Sequence, residues 1–313
     1  MNSEAQNQRE VRKRTVLVTS FLLFFLAYSQ LSTSEDSGTT PEFLGTVSCG
    51  TSTCHGARTE SLTSNILRNE FNTWYENDPH SEAFKALSSP LGKRIGKNLR
   101  LGNPEEEPMC INCHSTPIGQ YGVSTTFDRS EGVSCEGCHG PASLWLKTHT
   151  KEAGKAQLQK LGMYPTEIPE SRGELCLSCH LGSGDKQLVT HKMMAAGHPR
   201  LVFELATFTQ TQPAHFRRDT DYDSRKPDVQ ETRVWAIGQL VAARQFLQLV
   251  KTHGSSKKSL FPEFTFYECH TCHHSVETVR WQARRTNPLG PGQMRLNDSA
   301  ILISVSILKV IDS

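Results

Sequence analysis

A chain of 313 residues is long enough for one large domain or two modest ones. Its formal charge of +2 excludes the strongly basic surface of a nucleic-acid-binding protein, so no nucleic-acid partner is expected. Apolar residues make up 36% of the chain, lean for this size, so a core of side chains alone would be thin unless large apolar groups are buried with them.

The chain begins with a basic cluster, Arg9, Arg12, Lys13 and Arg14. An apolar run from Val16 to Tyr28 follows, interrupted only by Thr19 and Ser20, with Ala27 and Ser29 two apart as a signal peptidase requires. This basic, apolar, small order is that of a secretory signal over residues 1–30. The run falls short of the ~20 apolar residues of a membrane span. Cleavage near Gln30 is therefore the leading expectation, and retention as a membrane tether over residues 15–31 is the second. Residues 31–44, which begin LSTSEDSGTTPE, read as a flexible linker, and residues 45–313 as the folded domain.

Within that domain, residues 61–76 carry Leu67, Phe71 and Trp74 at helical spacing. Residues 212–228 are polar and charged, as a surface loop is. A second helix is expected over 229–252, with Ile237, Leu240, Ala243, Leu247 and Val250 on one stripe. Asp228 and Glu231 have the spacing of a capping box, and Gly254 can close the helix. The tail, 298–311, has Ile301, Val305 and Leu308 at helical spacing, although its β-branched residues also allow a strand. It is too short to span a membrane, and packing on the body is its ordinary role.

Ten cysteines fall into five close pairs, and each pair is followed at once by histidine. Numbered in chain order, site 1 is Cys49, Cys54 and His55; site 2 is Cys110, Cys113 and His114; site 3 is Cys135, Cys138 and His139. Site 4 is Cys176, Cys179 and His180, and site 5 is Cys269, Cys272 and His273. Sites 2 to 5 read C-x-x-C-H, the attachment signature of c-type haem, whereas site 1 has four residues between its cysteines. Two thiols add to the two vinyl groups on one porphyrin edge, and the following histidine places its imidazole on the iron. A wider gap spans the same vinyls by looping outward. Disulfides or zinc also use paired cysteines, but neither requires a histidine after every pair. With 13 histidines in the chain, five such coincidences by chance come to roughly one in ten million. Five covalent haem c groups are expected, four attached within 45–200 and the fifth within 201–313 beside the helical C-terminal part. The spacing of the sites is uneven and shows no simple repeat. The expected fold is mainly α, a multihaem cytochrome c fold with stacked haems as its core and little regular sheet.

Five histidines are thus proximal ligands and eight remain. The leading candidates for distal ligands are His80, His149, His198 and His215, with His191 and His274 next. His274 follows His273 directly and would serve a neighbouring haem. His191 and His198 are seven apart, which would put them on one helix face, except that Gly197 and Pro199 interrupt the helix near His198. His270 lies inside an attachment loop, and His253 reads better as a helix C-terminus residue. Met193 and Met194 could also ligate iron, but core packing is the commoner role of methionine.

The motifs GVSCEGCHGPAS with His149 downstream, DPHSEAF, AAGHPRLVFEL with QPAHF, and FYECHTCHHS resemble the cytochrome c554-type multihaem cytochromes of bacteria, over roughly residues 45–275. That resemblance implies a periplasmic, mainly helical electron carrier with stacked haems. It implies distal ligation by His80, His149 and His198, and allows one five-coordinate haem. The family carries four haems, whereas this chain has five attachment sites. The expected function is electron transfer between other redox proteins or from a membrane quinol-linked donor, through mostly bis-His haems. The alternative is an oxidoreductase acting on a small nitrogen or sulfur compound at an open haem position. No attachment motif carries the lysine found in some multihaem reductases.

Overall fold

Proline and serine placement, more than long amphipathic runs, sets where the helices begin. A computed structural model describes residues 40–151, 153–184, 187–225, 230–253, 262–273 and 293–312. Among them are twelve α-helices and one small sheet. In chain order the helices are α1 (Glu70–Asn77), α2 (Lys85–Ser88), α3 (Pro90–Leu99), α4 (Pro108–His114), α5 (Cys135–His139) and α6 (Lys155–Lys160). They continue as α7 (Pro169–His180), α8 (His191–Ala196), α9 (Leu205–Thr211), α10 (Thr220–Arg225), α11 (Glu231–His253) and α12 (Ser299–Ile311). Strands β1 (Glu42–Phe43) and β2 (Gly122–Val123) pair in parallel, Glu42 opposite Gly122. The mainly α expectation with little sheet holds.

Helices α3, α4 and α7 start at proline, whose missing N–H costs nothing in the first turn. Ser89 caps α3 by accepting the Gly92 N–H at 3.1 Å, and Arg100 closes it with a left-handed φ of 60°. Thr190 caps α8 on the Met193 N–H at 3.2 Å.

Side-chain cores are small. One cluster centres on Leu99, Met193 and Ala196, where α3 meets α8. A second centres on Phe246, Leu249 and Phe266, with Ile301 packed against it. Between α9 and α11 the chain approaches closely at Leu205, the first residue of α9, which is 1% exposed. A Cβ added to Gly238 would meet the Leu205 Cβ at 2.7 Å, so glycine is what permits this contact.

Several expectations change. The helix expected over 61–76 begins only at Glu70, because Arg68 adopts a left-handed φ of 66° and breaks the run. The buried stripe of α11 is Val234, Gly238, Val241, Ala243, Phe246 and Leu249. Leu247, placed on the core stripe by its spacing, is 52% exposed, since α7 and α9 pack on the face that carries Gly238. The tail is helical and packs on α11, but Val305 and Leu308 face outward and Ser304 faces in. Within the expected loop 212–228, Thr220–Arg225 forms the short helix α10. Within the linker expected over 31–44, Glu42–Phe43 forms β1, and Phe43 is 3% exposed. The expected signal or tether, Asp228 and Gly254 lie outside the described residues. Among the described residues no helix is long and apolar enough to cross a membrane.

Candidate haem centres

The attachment motifs sit on tight turns. Site 2 ends α4, site 3 is α5, site 4 ends α7, and site 5 is a 3-10 turn over Cys269–Thr271. Three-residue spacing on such a turn puts both thiols on one face. At site 5 the His273 N–H donates to the Cys269 carbonyl at 2.7 Å. At site 1 the His55 N–H likewise donates to the carbonyl of its first cysteine, Cys49, at 3.1 Å. The two extra residues there are absorbed in a turn closed by the Cys54 N–H on Thr51 O at 2.9 Å. The wide motif thus returns its histidine to the same relation with its first cysteine. All ten cysteines are described, and none is joined in a disulfide. Among the described residues no three His, Cys, Asp or Glu side chains converge as a metal-ion cluster.

Each proximal histidine faces one other histidine across a nearly constant gap. The ring centres are 6.2 Å apart for His55 and His149, 6.1 Å for His80 and His180, and 6.3 Å for His114 and His198. They are 6.2 Å apart for His139 and His215 and 6.1 Å for His191 and His273. Two imidazoles on opposite sides of one metal ion, each bonded at about 2 Å with its ring centre about 1 Å further, stand about 6 Å apart. The histidines therefore fit a bis-His haem at all five sites. The interplanar angles fall in two groups: 20° and 35° at sites 1 and 5, and 81°, 84° and 90° at sites 4, 2 and 3.

The other ring nitrogen supplies an independent check. A histidine that ligates through Nε2 needs an acceptor for its Nδ1–H, which fixes the tautomer and the ring. His55 Nδ1 meets Glu70 Oε2 at 3.0 Å, His80 Nδ1 meets Asp78 Oδ1 at 2.7 Å, and His114 Nδ1 meets the Ala83 carbonyl at 2.7 Å. His198 Nδ1 meets the Pro199 carbonyl at 2.8 Å, and His149 Nδ1 meets the Leu146 carbonyl. His253, by contrast, donates from Nε2 to the Gly184 carbonyl at 3.0 Å, the wrong nitrogen for this ligand pattern.

Titration follows the same partners. The hydrogen bond that His55 donates to Glu70 raises its pKa against the opposing effect of burial, and that from His80 to Asp78 does the same for His80. Burial works to raise Asp78, but its bonds with the His80 ring, Gln212 and the His80 N–H hold it at about 2. Burial lowers His114 and His180. Among the described residues, two buried N–H donors lack an acceptor, Trp145 Nε1 and Arg172 Nε. They suit the propionate carboxylates that a haem brings.

The sites also touch one another. Sites 1 and 3 adjoin, and the Cys135 thiol beside Cys49, together with burial, raises Cys49. Sites 2 and 4 adjoin likewise, and the paired thiols raise Cys113 and lower Cys179 to about 7. Gln187 strengthens that junction, its Nε2 lying 2.9 Å from Asn112 O and 3.5 Å from Cys179 Sγ. Burial pushes Cys138 of site 3 up to about 12, with Cys176 of site 4 among its neighbours. Site 5 meets the chain beside His198, which faces His114 of site 2, where Arg200 Nη1 lies 3.4 Å from Cys269 Sγ.

Residues 48–140 match the cytochrome c554 and c-prime family. The c554 resemblance drawn from the motifs therefore stands, and covalently bound haem c is what that family implies. The c554-type segment holds sites 1 to 3, whereas sites 4 and 5 lie beyond it. Cytochrome c-554 of Nitrosomonas europaea (strain ATCC 19718 / CIP 103999 / KCTC 2705 / NBRC 14298) is 25% identical over 142 residues. That match covers 42% of this chain and 54% of the relative, so the chain spans about half the length of the curated relative it matches. No solved structure matches the chain.

Of the candidate distal ligands, His80, His149, His198, His215 and His191 each face a proximal histidine, and His274 lies outside the described residues. His191 begins α8 and His198 follows the left-handed Gly197, so they face different partners, His273 and His114. Met193 is 5% exposed and packs in the cluster with Leu99. Three carboxylates were not foreseen: Glu70, Asp78 and Glu136. Asp78 was within reach of sequence reasoning, two residues before His80. Glu70 follows His55 by fifteen residues and carries no local signal. Glu136, 2% exposed, sits inside the site 3 motif and accepts the N–H groups of Leu44, Gly45 and Ala142 at 2.8–2.9 Å. It thereby ties the entry to site 1 onto site 3.

Proposed function

We propose that the protein is an exported c-type cytochrome, with a pentahaem domain over residues 45–313, that carries electrons between redox partners. The observation that carries this is the set of five histidine pairs, each at 6.1–6.3 Å between ring centres and each containing the histidine of one attachment motif. Cysteines 49, 54, 110, 113, 135, 138, 176, 179, 269 and 272 would hold five haems covalently. His55, His114, His139, His180 and His273 would ligate from one side, and His149, His198, His215, His80 and His191, in that order of sites, from the other.

Haem c supplies one-electron exchange between Fe(III) and Fe(II). The protein's part is to fix both imidazoles, so that oxidation and reduction need little rearrangement. Backbone and carboxylate acceptors on Nδ1 do this, and the contacts between attachment motifs bring successive sites together. A substrate-binding haem requires an open coordination position. Each proximal histidine instead faces a second imidazole, which favours a carrier over an oxidoreductase of small nitrogen or sulfur compounds.

The partners are other redox proteins, with a membrane quinol-linked donor as the expected source. Export rests on the basic and apolar N-terminus; Edman sequencing that begins near Gln30 supports cleavage, and an intact Met1 supports a tether. The central test is haem stoichiometry with carbon monoxide binding. Protein mass should rise by five haems, and the spectrum of the dithionite-reduced protein should not change with carbon monoxide. A shifted Soret band would overturn the fully bis-His assignment, and a mass without haem would overturn the cytochrome itself.

A further inference from the structure

The axial histidines differ in what receives their Nδ1 proton. His55 and His80 donate to carboxylates, whereas His114, His149 and His198 donate to backbone carbonyls. A carboxylate acceptor pulls the proton harder than a neutral carbonyl does. The imidazole then gains anionic character, and its Nε2 becomes a stronger donor to iron. A stronger donor favours Fe(III) over Fe(II) and lowers the reduction potential. The carboxylate's own charge acts in the same direction, most where water is scarce. Both are shielded: the Asp78 side chain is 5% exposed and that of Glu70 16%. Both are also fixed in place. Asp78 takes the His80 N–H at 3.0 Å and Gln212 Nε2 at 2.9 Å besides the His80 ring. Glu70 lies in the first turn of α1, where a negative charge is favoured.

We propose that Glu70 and Asp78 set sites 1 and 4 as the low-potential members of the relay, acting on iron through His55 and His80. This rests on the bis-His reading of those sites. Chain contacts place sites 1, 3, 4 and 2 in that order. Glu136 of site 3 takes the Leu44 and Gly45 N–H groups at the entry to site 1. The Val133 N–H just before site 3 donates at 2.9 Å to the carbonyl of His80, which faces His180 of site 4. Gln187 bridges Cys179 of site 4 to Asn112 of site 2. At site 2 both histidines with a described Nδ1 partner meet only backbone carbonyls. In that order sites 1 and 4 are the low-potential members and site 2, with neutral acceptors, lies above its neighbour site 4, so an electron on site 4 passes downhill to site 2. One electron enters or leaves each site, no iron–histidine bond breaks, and the Nδ1 proton stays between ring and carboxylate. Glu70 and Asp78 are positioning and tuning residues, since neither touches iron.

The test is a spectroelectrochemical titration of the haem-loaded protein, with dithionite as reductant, alongside low-temperature EPR. Glu70→Gln should raise the midpoint of one of the haem components while its EPR signal stays low-spin. The expected change is on the order of tenfold in the reduced-to-oxidised ratio at fixed potential, about 59 mV for a one-electron couple. Asp78→Asn should raise a different component, and Glu70→Asp should return the first toward the wild-type value. Glu76→Gln removes the same charge from an exposed position on α1 that touches no histidine, and should leave every midpoint in place. Unchanged midpoints in Glu70→Gln, with low-spin EPR retained, would overturn the proposal. So would an equal shift in Glu76→Gln, since net charge would then be the cause. High-spin iron or carbon monoxide binding in the wild-type protein would instead mark failure of the bis-His reading. Should Asp78→Asn fail to mature, the Glu70 series decides alone.

Discussion

Replacing His149 with alanine makes a prediction that depends on ring angles as well as on which histidines pair. An imidazole donates π density into the iron d orbital perpendicular to its plane. Two near-parallel rings raise the same orbital and split the pair, which gives a rhombic low-spin EPR signal. Two perpendicular rings raise both orbitals equally, which gives a strongly anisotropic signal at large g. With interplanar angles of 20° and 35° at sites 1 and 5, two of the five proposed irons would belong to the rhombic class. The angles of 81°, 84° and 90° put the other three in the large-g class. His149 faces His55 in the 20° pair, so His149→Ala should halve the integrated rhombic signal and leave the large-g envelope intact. One high-spin iron should appear, and the reduced variant should bind one carbon monoxide per chain. His215→Ala should do the converse, removing one third of the large-g envelope, because His215 and His139 are at 90°. Spin quantitation of both variants is the assay. A rhombic signal that survives intact in His149→Ala would refute the pairing of His149 with His55.

Other substitutions probe the frame that holds the sites. Glu136→Ala leaves the buried N–H groups of Leu44, Gly45 and Ala142 without an acceptor. At about 1–3 kcal/mol for each orphaned donor, less any water that enters, denaturant titration should show a loss of roughly 3–5 kcal/mol. Gly238→Ala forces a Cβ to within 2.7 Å of Leu205 and should cost about 1–3 kcal/mol. Glu204 caps α9 through the N–H groups of Ala206 and Thr207 and the Thr207 hydroxyl. Burial works to raise its pKa, but these bonds hold it below the usual glutamate value. A depressed folded pKa stabilises above the ordinary glutamate range and is lost as pH falls through the folded value. Glu204→Ala should therefore cost about 1 kcal/mol at neutral pH and nothing once Glu204 is protonated, as thermal melts across the acid range would show. His253→Ala should leave every EPR signal unchanged, since its Nε2 is engaged by Gly184 O.

The candidate attachment motifs stood out in the sequence because their chemistry is local: two thiols must reach one porphyrin edge and an imidazole the iron, and adjacent residues can do so. Distal ligands were legible as candidates only. His80 faces His180 of site 4 and His149 faces His55 of site 1, so neither pairs with the attachment motif nearest in sequence. That crossing follows from how α1, α4, α5 and α7 are arranged, which no spacing encodes. The helix α11 was found from its periodicity, but its buried face was placed only in part: Ala243 is buried and Val250 packs on the second cluster, whereas Leu247 is exposed. The apolar residues nearly encircle it, and the small residue Gly238, which decides where α9 approaches, carries little hydrophobic weight. The early helix was overextended because Leu67, Phe71 and Trp74 keep the right spacing across a left-handed Arg68.

The same crossing has a consequence for folding. His55 and His149 are 94 residues apart, His80 and His180 are 100, and His139 and His215 are 76. Once a haem is attached at its motif, the distal histidine closes a loop of that length. A cross-link over about 100 residues restricts the unfolded chain by about 4.7 kcal/mol in the chain-entropy picture. The loops interleave, so the contributions overlap and do not simply add. Side-chain clusters such as Leu99, Met193 and Ala196 are small beside this. The chain should therefore fold on its haems. Replacing Cys135 and Cys138 with serine removes site 3, where Glu136 also anchors the start of the domain. That variant should lose several kcal/mol relative to His215→Ala, which opens the loop but keeps the haem attached. Denaturant titrations of the two variants, both with the remaining sites loaded, make the comparison. Equal stability of the two would refute the idea that the attached haem, beyond the loop it closes, serves as core.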